Sequence, residues 1–196
     1  MGKEIELAIY DIDPNVVKEK LGSIGAKYIG HFSFRRINFQ VKTNTAVEGE
    51  YNVSWVRVRT DGINTKITYK QQNGVGMNNR EEYEVGTDSF EGAVRIIYKL
   101  LSQADYDYFE NEREEYEIDG MHVEIDKFPY MPYTMEIEGS SEANIMGLYK
   151  KLNPGGSIEK NKSVPTAEYY KMHGFDYLKL QKEYADKIHK LINSGD

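Results

Sequence analysis
An α+β protein whose eight antiparallel strands close into a β barrel, a tunnel with a polar lumen and helices packed outside, is the fold this sequence predicts on three observations. About eight strand-like segments are joined mostly by short turns, which favours antiparallel neighbours, and only a few helical segments interrupt them. Many of these segments alternate charged with apolar or aromatic residues, and the charges are of both signs. A Glu-x-Glu pair in Lys3–Leu7 is echoed in Tyr133–Gly139, at the far end of the strand-rich run. A sandwich would turn such charges to water. A closed sheet can instead pair them across an interior that water, ions or a ligand completes.

The elements follow in order. Lys3–Tyr10 alternates as a first strand, and Asp13 with Pro14 supplies an N-cap and first-turn proline for a helix carrying Val16, Val17, Leu21 and Ile24, ended by Gly25. Tyr28–Val41 is a long strand with Phe32, Phe34, Ile37 and Phe39, and Arg35-Arg36 in its middle. In Tyr51–Thr60, Val53, Trp55, Arg57 and Arg59 share one face. The Asp61-Gly62 turn then leads into Thr65–Gln71, where Lys66, Thr68 and Lys70 line one face. Arg80–Val85 places Arg80, Glu82 and Glu84 together. Asp88–Glu91 resembles a capping box opening a helix with Phe90, Ala93, Val94, Ile97 and Leu101 on one face. Tyr106–Ile118 returns to strand and turns at Asp119-Gly120 into Met121–Lys127, where Glu124 and Asp126 share a face; Tyr133–Gly139 closes the set. Ser141 caps a helix through Ile145, Leu148, Tyr149 and Leu152, a short helix follows at Thr166–Met172, and an amphipathic helix runs from about Tyr177 to Ile192.

At 196 residues with no linker-like stretch, the chain reads as one domain over residues 1–174, with a helical tail at 175–196 that packs on it or on a second copy in a homodimer. Having no cysteine, it has no disulfide, thiolate catalysis or Cys-based zinc site, and its four histidines lack paired metal-ligand spacing. No apolar run spans a membrane and no signal-peptide pattern opens the chain, so a cytoplasmic location is expected. A net charge of −7 argues against broad nucleic-acid binding. The short Gly74-Val75-Gly76 is no phosphate loop.

Side chains alternate across a strand, so Glu4 and Glu6 point one way, as do Glu136 and Glu138. Four carboxylates in one space repel unless protons, basic groups or a divalent cation compensate them, and all-oxygen donors suit hard cations such as Mg²⁺, Mn²⁺ or Ca²⁺. With Asp126 or Glu124 nearby, this set points to a metal. Arg57, Arg59, Lys66, Lys70 and Arg113 supply the opposite charge, and arginine forks match phosphate oxygens. A metal-chelated di- or triphosphate satisfies both halves. Glu82 and Glu84 serve either as ligands or as partners that hold the basic side chains.

The order Glu-x-Glu, Arg57-x-Arg59, Thr68-Tyr69-Lys70, Arg80–Glu84, Arg113–Tyr116, Asp126 and Glu136-x-Glu138 resembles the CYTH family, or triphosphate tunnel metalloenzymes, from Lys3 to about Tyr170. The resemblance implies an eight-stranded β tunnel holding Mg²⁺ or Mn²⁺ and a triphosphate such as tripolyphosphate, thiamine triphosphate or ATP. It implies metal-binding or acidic roles for Glu4, Glu6, Asp126, Glu136 and Glu138. Phosphate contacts fall to Arg57, Arg59, Lys70 and Arg113, with Lys162 matching a late lysine and Lys66 added from its strand face. Glu4, Glu6, Lys70 and Arg113 become the catalytic candidates. The implied activity is hydrolysis of a triphosphate, with cyclisation of ATP to cyclic AMP and pyrophosphate as the alternative. Two positions depart from the pattern: Ala8 and Asn111 stand where the family carries lysines. That depletion of positive charge makes a binding-only protein the third reading.

Overall fold
The computed structural model describes residues 2–41, 52–73, 80–102, 104–156 and 166–193. Nine strand segments among these residues form one antiparallel sheet: β1 (Gly2–Glu4), β2 (Glu6–Ile12), β3 (Lys27–Val41), β4 (Asn52–Thr60), β5 (Thr65–Asn73), β6 (Arg80–Thr87), β7 (Tyr106–Ile118), β8 (Met121–Lys127) and β9 (Tyr133–Glu138). Their order is β1-β6-β5-β4-β3-β7-β8-β9-β2. The expected first strand is therefore interrupted: only Ile5 separates β1, paired to β6, from β2, paired to β9. Counted as one, they give the eight strands expected. Among the described residues closure by hydrogen bonds is not found, because β1 and β2 end the ladder without pairing to each other.

Local chemistry explains the boundaries. Asp119 and Gly120 both hold positive φ, 50° and 71°, as a two-residue hairpin between β7 and β8 requires. The Asp61 carboxylate accepts hydrogen bonds from the Ile63 and Asn64 amides at 2.8 and 2.6 Å, fixing the turn between β4 and β5. Asp11, at φ 59°, lies in the register shift of β2 between Ile9 and Ile12.

Among the described residues six helices accompany the sheet: α1 (Pro14–Ser23), α2 (Phe90–Leu100), α3 (Glu142–Leu152), α4 (Thr166–Met172), α5 (Tyr177–Glu183) and α6 (Ala185–Asn193). Asp13 and Ser141 cap α1 and α3 as the sequence predicts, whereas α2 is capped by Ser89, one residue after the Asp88 that the capping-box pattern puts at the N-cap. The tail, expected as one helix, divides at Tyr184 into α5 and α6. Among the described residues no helix is long and apolar enough to cross a membrane.

The apolar residues form two clusters on the same face of the sheet. In one, Leu7, Ile9, Val123, Ile125, Met135 and Ile137 pack under α1 and α3. In the other, Ile37, Phe39, Val58 and Tyr108 pack under α2 and the C-terminal helices, which contribute Tyr170, Leu180, Tyr184, Ile188 and Leu191. Burying each such side chain stabilises the fold by about 1.5–3 kcal/mol. This payload fixes the phase of every strand and turns the alternate residues to the opposite face. That opposite face is polar.

Candidate functional site
Register shows which side chains share the polar face, because directly opposed residues point the same way. Arg36, Arg59 and Lys66 form one row across β3, β4 and β5; Asn38, Arg57, Thr68 and Glu84 form the next, from β3 to β6; Trp55, Lys70 and Glu82 form a third. On the far side of β3, Arg113 opposes Asp126, Glu124 opposes Glu136, and Glu136 opposes Ala8. One face thus has a basic region on β3–β5 and an acidic region on β8–β9, with Arg113 of β7 beside the acids.

Arg113 is bound up in that acidic region. Its Nε and Nη2 donate to the two oxygens of Asp126 at 2.8 and 2.6 Å, Nη1 pairs with Glu124, and Nη2 lies 3.6 Å from Glu136. Burial would lower its pKa, but Asp126 and Glu124 outweigh burial and hold it well above the ordinary value. Asn111 donates from Nδ2 to Asp126 at 2.8 Å, and both residues are buried. A neutral amide therefore steadies Asp126 at a position where the CYTH pattern places a cation.

Oxygens of Glu124, Asp126 and Glu136 all lie within 4.8 Å of one another. Burial pushes the Glu124 carboxyl up to about 7; Arg113 opposes the shift, and Glu136 and Asp126 add to it. The strain is that of three carboxylates sharing one arginine, and an all-oxygen trio of this kind suits a hard divalent cation.

The basic residues fall into two kinds. Lys70, buried, sits 2.6 Å from Glu82, and Lys66 sits 2.7 Å from Glu84, which also accepts from the Thr68 hydroxyl at 3.0 Å. Glu82 and Glu84 thus act as partners that hold lysines. Arg57 reaches Glu82 only at 4.0 Å. Arg59 has no carboxylate within ion-pair distance among the described residues and lies over the Phe34 ring at 4.6 Å. Burial, then Arg57 and Arg113, lower its pKa.

Of the metal candidates from sequence, Asp126 and Glu136 come together with Glu124. Glu138 is exposed and opposes Glu6 and His122, two residues along the strand. Glu4 ends β1, paired by backbone to Arg80, and its side chain lies outside the described residues, as do Lys162 and the Gly74–Gly76 stretch. Arg36 escaped sequence reasoning. Phe32, Phe34, Ile37 and Phe39 leave the phase of β3 ambiguous, whereas in the structure Ile37 and Phe39 are buried in the apolar cluster and Phe34, Arg36 and Asn38 take the polar face. Arg35 goes to the other side, pairing with Glu91 of α2 at 3.0 Å.

No protein-family profile matches the chain, and no curated protein matches it. Solved structures do. The PH1012 protein of Pyrococcus horikoshii superposes with a TM-score of 0.68 at 18% identity, over 85% of this chain and 98% of its own. A candidate adenylate cyclase of Vibrio parahaemolyticus gives 0.63 at 10% identity, over 87% and 99%. A candidate adenylyl cyclase from Hippeastrum, whose dominant activity is as a triphosphatase, gives 0.56 at 14% identity, over 87% and 96%. The chain shares the fold of these proteins, in agreement with the CYTH resemblance of its motifs.

Proposed function
We propose that the protein is a metal-dependent phosphohydrolase acting on an inorganic or organic triphosphate, bound on the polar face of a sheet that curls into a tunnel. Closure would pass through the chain itself: β1 and β2, at opposite ends of the ladder, are one residue apart. The observation that carries the reading is the division of one face into a basic region of Arg57, Arg59 and Lys70 and a carboxylate trio of Glu124, Asp126 and Glu136.

In this reading Glu124, Asp126 and Glu136 hold Mg²⁺ or Mn²⁺, with Glu4, Glu6 and Glu138 extending the acidic end. Such a cation neutralises phosphate charge and polarises the reacting phosphorus. Arg57 and Arg59 grip the phosphate oxygens as forks, and Lys70, oriented by Glu82, adds a point charge that grows in value as the transition state spreads negative charge. Arg113 holds the carboxylates in place, and one of them takes the proton of the attacking water. Lys66 is a peripheral phosphate contact, and Lys162 is a phosphate contact carried over from the CYTH resemblance.

The fold shared with candidate adenylate cyclases supports a second reading, attack of the ATP 3′-hydroxyl on the α-phosphorus. Phosphorus NMR of the protein with equimolar tripolyphosphate and ATP, in Mg²⁺ and then Mn²⁺, separates them. Orthophosphate with loss of tripolyphosphate is expected, and pyrophosphate with cyclic AMP would replace the hydrolase by a cyclase. Shifted resonances without product would leave a binding protein, the outcome that Ala8 and Asn111 favour.

A further inference from the structure
We propose that Arg36 is an anion-binding residue of the polar face, gripping a phosphoryl group together with Arg57 and Arg59, while Arg113 is withheld from the anion by its own carboxylates. The inference deepens the triphosphate reading and rests on it for the identity of the ligand.

A guanidinium has five N–H donors to satisfy. Arg113 places its own on Asp126 and Glu124. Arg36 makes no hydrogen bond or ion pair to any described residue, and its Nε is enclosed without a partner. It is held instead by two aromatic rings, with Phe128 4.9 Å and Phe109 5.5 Å from the guanidinium carbon. Ring contacts restrain the guanidinium plane without satisfying its N–H groups, which lie in that plane.

The charges around it are mostly of the wrong sign for a structural cation, with Asp126 against Arg57, Arg59 and Arg113. Arg59 lies directly opposite on β4, with Lys66 beyond it on β5, and like charges opposed across strands are destabilising. Nearby Arg57 also has a buried Nε without a partner. Burial and then Arg57 lower the Arg36 pKa to about 9, against a smaller opposing pull from Asp126, which leaves the group charged at neutral pH. A cation with no carboxylate in ion-pair contact among the described residues, beside two other arginines, is what a phosphoryl group would complete. Arg36 would thereby restore positive charge missing at Ala8 and Asn111.

Isothermal titration of the full chain in EDTA with orthophosphate, pyrophosphate and tripolyphosphate tests this on wild type, Arg36→Met and Arg36→Lys, with urea unfolding of each. Methionine keeps an apolar stem between the rings. The expected result is tripolyphosphate binding weakened about tenfold or more in Arg36→Met, partial recovery in Arg36→Lys, and an unfolding midpoint at or above wild type in Arg36→Met. Unchanged affinity in Arg36→Met overturns the inference and leaves the triphosphate reading standing. So does a loss of affinity matched by a lowered midpoint and not recovered by lysine, which marks a packing role. Arg36-dependent binding of orthophosphate with no preference for the longer anions keeps the inference and refutes the triphosphate reading. A wild type that binds none of the three refutes both.

Discussion
Replacing Asp126 with asparagine isolates the centre of the polar face. Asp126 is 3% exposed and accepts three hydrogen bonds, from Asn111 Nδ2 and from Arg113 Nε and Nη2. Asparagine keeps the volume but turns one acceptor oxygen into a donor that meets an arginine N–H. Removing one partner of a buried ion pair costs about 3–5 kcal/mol. Glu124 and Glu136 remain near Arg113 to absorb part of its charge, so the lower end, about 3 kcal/mol, is expected. At about 2–4 °C per kcal/mol for a domain of this size, the melting temperature falls by about 6–12 °C. Urea unfolding followed by circular dichroism, with an unchanged m-value, reads the loss directly. Asp126→Asn combined with Arg113→Met should be non-additive by at least about 0.5 kcal/mol, since the two share one network. A loss below about 1 kcal/mol, or strict additivity, would refute the assignment of Asp126 as the hub of this network.

Three other perturbations test separate parts of the structure. The Glu124 carboxyl is pushed up to about 7, above its ordinary 4.5, so the folded state binds this proton more tightly than the unfolded chain. Its stabilising contribution is complete below about 4.5 and lost as pH rises through about 7. Without metal, wild type should therefore lose stability relative to Glu124→Gln over that window, with a slope of at most about 1.4 kcal/mol per pH unit; parallel pH profiles would show that Glu124 titrates normally. Ala8→Lys sets an ammonium opposite Glu136 and should stabilise the metal-free protein by about 0.2–1 kcal/mol while tightening tripolyphosphate binding; unchanged affinity would mean that the missing ammonium is not limiting. Ile188→Ala in α6 should cost about 2–5 kcal/mol because the side chain is buried in the cluster under α2, and a cost below about 1 kcal/mol would show that the tail contributes little.

Alternation made most of the sheet legible. In Tyr51–Thr60 and Thr65–Gln71 it assigned Trp55, Arg57, Arg59, Lys66, Thr68 and Lys70 to one face, where cross-strand register places them. The caps at Asp13 and Ser141 were legible because each is a local hydrogen bond between a side chain and an amide two or three residues on, and at α2 the same signal placed the cap one residue early, at Asp88 instead of Ser89. The state of Arg113 was not. Its motif suggested a phosphate grip, yet how far its charge is spent depends on Asp126, Glu124 and Glu136, which only sheet pairing brings to it. Arg36 was hidden by phase, since Arg35-Arg36 gives two adjacent arginines and alternation sends only one inward. The break at Ile5 had no local signal either, because it follows from the strand serving two neighbours.

That break bears on how the chain is made. The segment from Gly2 to Ile12 pairs with β6 through its first residues and with β9, the last of the described strands, through the rest, so its pairing is complete only once β9 is in place. Contacts so distant in sequence slow folding, and until they form, β6 and β9 each present an unpaired edge to other nascent chains. Soluble yield should accordingly depend on the freedom of the N-terminal segment to swing into place. A bulky fusion directly before Gly2 would obstruct the sheet at its seam, whereas an extension after α6 leaves that final step untouched.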